Sequence, residues 1–200
     1  MDQKGFTVWF TGLSGSGKNT IARLVADELR RRHMKVELLA GSELRQNISQ
    51  GLRFSYEDRV ANVRRIGYVA KLLSRNGVAV ITTAVSPYRA ARDECRREID
   101  EFIEVFVDCP LEVCEQRDTS GLYAKARLEL IEDVSGISDT YEPPLNPELV
   151  LRSAENPPEL LAEQVIEELE RRGLLDRLDK PVPSSDEELV RESLRALQQR

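Results

Sequence analysis

Apolar and polar positions change period several times along the chain, and each change marks an element. Residues 6 to 11 form a short apolar run of aromatic and β-branched side chains, which reads as a strand. Ile21, Leu24, Val25 and Leu29 then recur at three- and four-residue steps, the spacing of an amphipathic helix. It ends in Arg30, Arg31, Arg32 and His33, read as a solvated helix terminus whose cations oppose the dipole. Residues 36 to 40 give a second strand. Val63, Ile66, Ala70 and Leu73 share one face of a helix opened by Ser55 as N-cap, with Glu57 and Asp58 in its first turn, and closed at Asn76-Gly77. The run VAVITTA at 78–84 is continuously apolar and β-branched, as in a strand that a parallel sheet buries on both faces. Another strand at 102–107 precedes Pro110, which suits the first turn of a helix. A short strand at 148–151 and a helix at 158–172 complete the pattern. Strands alternating with helices in this order predict a three-layer α/β fold with a mainly parallel central sheet.

Two stretches depart from that alternation. Residues 118–144 are polar and carry Lys125 and Arg127 between Gly121 and Gly136, the composition of a helical lid hinged over an anionic ligand. After the main domain at 1–175, residues 176–184 read as a linker, and 185–200 as a C-terminal amphipathic helix with Leu189, Leu194 and Leu197 on one side.

Composition narrows the classes. Two hundred residues at 40% hydrophobic content suffice for one full core, so one principal domain is expected. A net charge of −6 with both signs interspersed argues against a nucleic-acid partner. The first ten residues have no basic stretch leading into a long apolar run, and nowhere do eighteen apolar residues follow one another. A soluble, cytoplasmic protein with no membrane partner is expected. Cys95, Cys109 and Cys114 have no C-x-x-C spacing and read as reduced thiols.

The chemistry begins where the first strand meets the first helix. Gly12-Leu-Ser-Gly-Ser-Gly17-Lys18-Asn19-Thr20 matches the phosphate-binding loop G-x-x-x-x-G-K-[ST] except at its last position, where Asn19 replaces a hydroxyl residue. Glycines let successive backbone N–H groups point at phosphate oxygens through φ > 0 conformations. Lys18 adds a mobile charge, and the helix N-terminus adds partial positive charge. Asn19 offers a neutral amide oxygen to a metal in place of the hydroxyl. Arg59 and Asn62, three apart, face the same way near the start of their helix and can grip an anion.

Taken in order, GLSGSGK (12–18), FSYEDRVANVRRIGYVAKLL (54–73), SPYRAARD (86–93), EVFVDCPLEVCEQRD (104–118), GLYAKAR (121–127) and YEPPLNPELVL (141–151) resemble the adenylylsulfate (APS) kinases over residues 5 to 172. The resemblance implies a P-loop NTPase-like kinase fold with a helical lid. It implies ATP and Mg²⁺ as cofactors, with phosphoryl transfer to the 3′-hydroxyl of adenosine 5′-phosphosulfate as the activity. Gly12, Ser14, Gly15, Ser16, Gly17, Lys18, Asn19 and Thr20 would hold the ATP phosphates, with Arg117 on the adenine and Lys125 reaching from the lid. Arg45, Phe54, Arg59 and Asn62 would bind APS, the arginines on its anionic oxygens and Phe54 on its adenine, beside Ser86 and Pro87. Lys18 and Ser42 would stand at the chemistry, and Asn19 at the metal. The family is commonly a homodimer.

The departures gather around that pocket. Ala40-Gly41-Ser42-Glu43 stands where the family has Asp-Gly-Asp-Asn, Arg53 replaces a glycine, Val134 replaces a lid aromatic, and Glu132 replaces a basic residue. Three functions remain open from the residues: an APS kinase with a modified site, a kinase of the same fold for another acceptor, and a nucleotide-binding homologue that no longer transfers phosphate.

Overall fold

The computed structural model describes residues 3–177. Five parallel strands form one sheet: β1 (Phe6–Thr11), β2 (Val36–Ala40), β3 (Ala79–Thr83), β4 (Phe102–Asp108) and β5 (Leu149–Arg152), in the order β2-β3-β1-β4-β5. Helices α1 (Lys18–Arg31), α2 (Gly41–Asn47), α3 (Tyr56–Ser74), α4 (Arg89–Glu98), α5 (Leu111–Gln116), α6 (Leu122–Arg127) and α7 (Pro158–Arg171) fill the connections. The three-layer α/β expectation holds, and every pairing in the sheet is parallel.

The centre of the sheet follows from the β1 sequence. All six of its residues are buried, and successive side chains serve opposite faces. Phe6, Val8 and Phe10 enter a core with α1 and α7, including Ile21, Leu29, Val165 and Leu169. Trp9 enters the other, with Val63, Ile66 and Ala70 of α3 and Ala91 and Cys95 of α4. Each such buried side chain contributes ~1.5–3 kcal/mol relative to exposure, which is why the central strand tolerates polar residues only at Thr7 and Thr11. A third, small cluster joins Cys109, Cys114, Tyr123, Ala126 and Val134 with Leu13, Leu111 and Ile137, packing the lid region onto the glycine loop.

Several boundaries read from the sequence stand. Ser55 accepts a hydrogen bond from the Asp58 amide at 3.2 Å, and α3 gives way to Gly77 at φ +78°. Two differ. The basic cluster at the end of α1 is not simply solvated: Arg30 pairs with Asp27, Arg31 with Glu28, and Arg32 bridges Glu28 at 2.6 Å and Glu170 of α7 at 2.7 Å. Charge here joins two helices as well as opposing a dipole. The lid is also less helical than expected, because α6 spans six residues and the rest of the segment turns through Glu129 and Asp133 at positive φ. The linker and terminal helix expected from 176 onward lie outside the described residues, apart from Asp176 and Arg177.

Candidate functional site

The carboxyl ends of β1, β3 and β4 open on one side of the sheet, where a parallel α/β fold leaves its crevice. The loop after β1 bends through Gly12 (φ +146°), Gly15 (φ +75°) and Gly17 (φ +96°). A Cβ at Gly12 would lie 2.6 Å from the Val107 carbonyl oxygen, and one at Gly15 2.7 Å from that of Cys114. Glycine is demanded there by packing behind the loop as much as by the ligand in front. Helix α1 starts at Lys18 with no side-chain cap and no acidic residue in its first turn, so its N-terminal N–H groups and dipole are left for an anion.

Lys18 is buried, 8% exposed, and its Nζ donates to the carbonyls of Gly12 at 3.0 Å and Leu13 at 2.7 Å. Burial lowers its pKa to about 8, against the opposing influence of the Cys114 and Cys109 thiols. Neither bond is to a carboxylate, so the ammonium is held by neutral oxygens that a phosphate can replace.

A cavity of about 1080 Å³ runs from this loop across the sheet. Ser14, Gly15, Gly17, Lys18, Asn19 and Thr20 line one end, and Phe54, Arg59, Asn62, Ser86 and Pro87 line the other. Arg117, on the loop end, donates to the Ser153 carbonyl at 2.9 Å. Gly12 and Ser16 belong to the loop but are not on the cavity wall, and Ser16 is fully buried. Lys125 is exposed on α6 and is not on the cavity wall. Ser42 and Arg45 fall on α2, the helix that follows β2 without a loop.

At the far end Arg59 is only 8% exposed. Its Nε donates to the Phe54 carbonyl at 2.8 Å, Nη1 to Ser135 Oγ at 3.1 Å, and Nη2 to the Asp133 carbonyl; Asp139 lies 3.6 Å from Nε. Its guanidinium also lies over the Phe54 ring, 5.4 Å from the centroid. Arg59 thus fastens the lid segment at 133–139 to the start of α3. Asn62 accepts from Ser49 Oγ at 2.6 Å and is also part of the cavity wall. Val134, at the position where an aromatic was noted as missing, is buried in the lid cluster and also reaches the cavity wall.

The sequence reading missed three participants. Tyr123 donates from its hydroxyl to the Ser14 carbonyl at 2.8 Å, tying α6 to the glycine loop. Ser135 meets Arg59, and Ser153 meets Arg117. Tyr123 lay inside the motif GLYAKAR, but a tyrosine at that spacing announces no partner more than a hundred residues away.

A hard divalent cation held by protein calls for several oxygen ligands, carboxylates prominent among them. Among the described residues no three His, Cys, Asp or Glu side chains gather as a metal set. Among the described residues the cavity wall has one carboxylate, Glu155, which faces Arg152 at 3.7 Å. Around Asn19 the described wall offers Thr20, Gly41 and Thr83 instead, and the Thr83 hydroxyl already accepts from the Gly41 amide at 3.4 Å. That donor set suits phosphate, and it fits Mg²⁺ only as an ion carried by substrate phosphates, with Asn19 and Thr20 as neutral oxygen donors on the wall.

Comparison with known proteins bears on which phosphate compound such a cavity takes. The family model described as adenylylsulphate kinase matches residues 4–152. The adenylyl-sulfate kinase of Synechococcus sp. (strain JA-2-3B'a(2-13)) is 54% identical over 173 residues, covering 86% of this chain and 99% of its own. The APS kinase of Mycobacterium tuberculosis, solved in complex with AMPPNP and APS, superposes with a TM-score of 0.80 at 42% identity, over 84% of this chain and 99% of its own. A hexameric APS kinase from Thiobacillus denitrificans gives a TM-score of 0.67 at 32% identity, over 89% of this chain and 31% of its own. With the family model matching most of the chain and a relative 54% identical over nearly its whole length, the chain belongs to the adenylylsulfate kinase family.

Proposed function

We propose that this protein transfers the γ-phosphoryl group of ATP to the 3′-hydroxyl of adenosine 5′-phosphosulfate, giving 3′-phosphoadenylyl sulfate and ADP. The observation that carries the reading is the single cavity of about 1080 Å³ whose wall joins the phosphate loop at one end to Phe54, Arg59 and Asn62 at the other. A donor and an acceptor nucleotide lying head to head in it would meet beside Lys18.

The chain's own groups supply positioning and charge. The loop N–H groups and the α1 N-terminus would take the β- and γ-phosphates, and Lys18 would exchange its carbonyl partners for phosphate oxygens. Arg117 would lie along the donor adenine, and Arg59, Asn62 and Phe54 would hold the acceptor against Ser86 and Pro87. Arg45, on α2, would bind APS, and Lys125, outside the cavity wall in the unliganded chain, would approach the phosphates only if α6 moves. Ser42, in the first turn of α2, is assigned to the acceptor hydroxyl. Phosphoryl transfer through a loose transition state depends mainly on alignment and charge stabilisation. The missing carboxylate base therefore costs ~10²–10⁴ in rate and leaves the reaction possible. Asn19 would hold an Mg²⁺ that comes in on the ATP phosphates, and that ion would add charge neutralisation to what Lys18 and the helix N-terminus supply.

That the described wall residues include one carboxylate, Glu155, favours a second reading, in which ATP and APS bind without transfer. Release of ADP that depends on added APS separates the two. The proposed reaction gives APS-dependent ADP that Lys18→Ala abolishes; tight binding of both nucleotides with no such ADP supports the second. We also propose a homodimer working in the cytoplasm. Light scattering at twice the chain mass supports the dimer, and a monomer or a hexamer overturns it.

A further inference from the structure

The acceptor-side wall is tied to the phosphate loop by a hydrogen-bonded chain in which counting protons fixes the direction of its outer link. Thr11 ends β1 immediately before Gly12, and its hydroxyl donates to the Val85 carbonyl at 2.8 Å. A hydroxyl has one proton to give. Tyr141, whose hydroxyl lies 2.9 Å from Thr11 Oγ1, must then be the donor in that pair. Ser86 Oγ accepts from Trp9 Nε1 at 3.1 Å and has two acceptors within reach of its one proton, Thr11 Oγ1 at 3.1 Å and the Ala84 carbonyl at 3.4 Å. Burial raises the Tyr141 phenol to about 12, so its proton stays in place at any working pH.

Beneath this chain sits Arg92 of α4, 1% exposed. Its Nε donates to Glu104 Oε1 of β4 at 2.7 Å, its Nη1 to the Ser86 carbonyl, and its Nη2 to the Glu142 carbonyl at 2.7 Å. One planar fork thus holds the sheet, the cavity wall and the segment returning from the lid. The same two segments are stitched again by the Glu142 amide donating to the Pro87 carbonyl at 2.8 Å and the Arg89 amide to Glu142 Oε2 at 2.7 Å. Ser86 has φ +40°, a conformation L residues adopt only when their surroundings hold them there.

We propose that Arg92 is a positioning residue for the acceptor half of the cavity: its fork locks the Ser86-Pro87 wall to residues 139–143, and Tyr141 extends the lock to Thr11 at the mouth of the phosphate loop. On the phosphotransfer reading, on which this rests for the acceptor's identity, Arg92 acts on APS without touching it. A purely structural buried ion pair would behave differently. Its loss would lower thermal stability and affect both substrates alike.

Arg92→Ala leaves Glu104 buried beside a lost partner and tests stability more than position. Two gentler changes serve better. Tyr141→Phe keeps the ring against Phe106, 5.9 Å away, and removes one hydroxyl. Arg92→Lys keeps the charge for Glu104 and removes the fork. Losing one such hydrogen bond corresponds to ~5-fold, and losing the fork to ~10-fold or more, in the KM for APS. The KM for ATP is expected to stay within about twofold. Equal changes in both KM values, or none in either, overturn the proposal. Hydrogen exchange on the full unliganded chain gives a readout independent of substrate: both variants should exchange faster at 84–88 and 139–143 while α1 and α7 are unchanged. Should the wild-type protein show no APS-dependent turnover, the functional reading fails, and exchange alone decides the lock. Unaltered exchange at those two segments then refutes it.

Discussion

Lys18 offers a prediction whose size can be worked from its surroundings. Its ammonium is buried against two carbonyls with no carboxylate partner, and burial brings its pKa from 10.5 to about 8. That difference corresponds to roughly 3 kcal/mol of cost for keeping the charged form in the unliganded site. Bound phosphate repays the cost by facing the ammonium with anionic oxygens, which returns the pKa toward or above its ordinary value. Nucleotide binding must therefore take up protons wherever free Lys18 is partly neutral. At pH 8.5 a group titrating near 8 is about one quarter protonated, so binding takes up about three quarters of a proton; at pH 7.0 it takes up about 0.1. Calorimetric titration of ADP in buffers of different ionisation enthalpy reads this number from the slope of binding enthalpy against buffer enthalpy. Uptake at pH 8.5 that is no larger than at pH 7.0 would refute the placement of Lys18 at the phosphates. The same depressed pKa has a consequence for the unliganded fold. Between about pH 8 and 10.5 the unfolded chain binds more protons than the native one, so Lys18 contributes a stability that rises with pH across that window and a cost that is full below it.

Other expectations follow from the packing. Gly15→Ala forces a Cβ to 2.7 Å from the Cys114 carbonyl at φ +75°, which costs at least ~1–2 kcal/mol, and thermal melting should fall by ~2–8 °C with loss of nucleotide affinity. Ser55→Ala removes the cap on the Asp58 amide, and the ~1 kcal/mol involved should lower the melting temperature by ~2–4 °C in a calorimeter without altering nucleotide binding. The double change Ala40→Asp and Ser42→Asp places carboxylates at the end of β2 and the start of α2. Single-turnover measurements should show a gain of ~10²-fold or more, and an unchanged rate would mean that those positions do not govern the chemistry.

The legible parts of this molecule were those with a local cause. The central strands follow from continuous apolar, β-branched runs that the sheet buries on both faces, the start of α3 from Ser55, and the loop from three glycines whose conformations no other residue adopts readily. Arg59 and Asn62 were readable as a pair because three residues on a helix share a face, and both reach the cavity. Helix α2 was not anticipated: GSELRQN is short and has no capping side chain, and it forms where β2 ends beside Thr83. The lid was anticipated from its composition but not in its form, since its shape depends on Tyr123 reaching Ser14 and Arg59 reaching Ser135 across 109 and 76 residues of chain. Such partners are invisible to any local pattern. Nor does any spacing announce that Arg92 of a charged surface-like helix is among the most buried side chains of the protein.

The central claim is that one cavity brings ATP and APS together and that phosphate passes between them. Incubating the purified chain with ATP, Mg²⁺ and APS and identifying the products by mass spectrometry tests it most directly. The proposed reaction yields ADP and 3′-phosphoadenylyl sulfate in equal amounts. ADP with APS unchanged, or no ADP at all while both nucleotides bind, would contradict it.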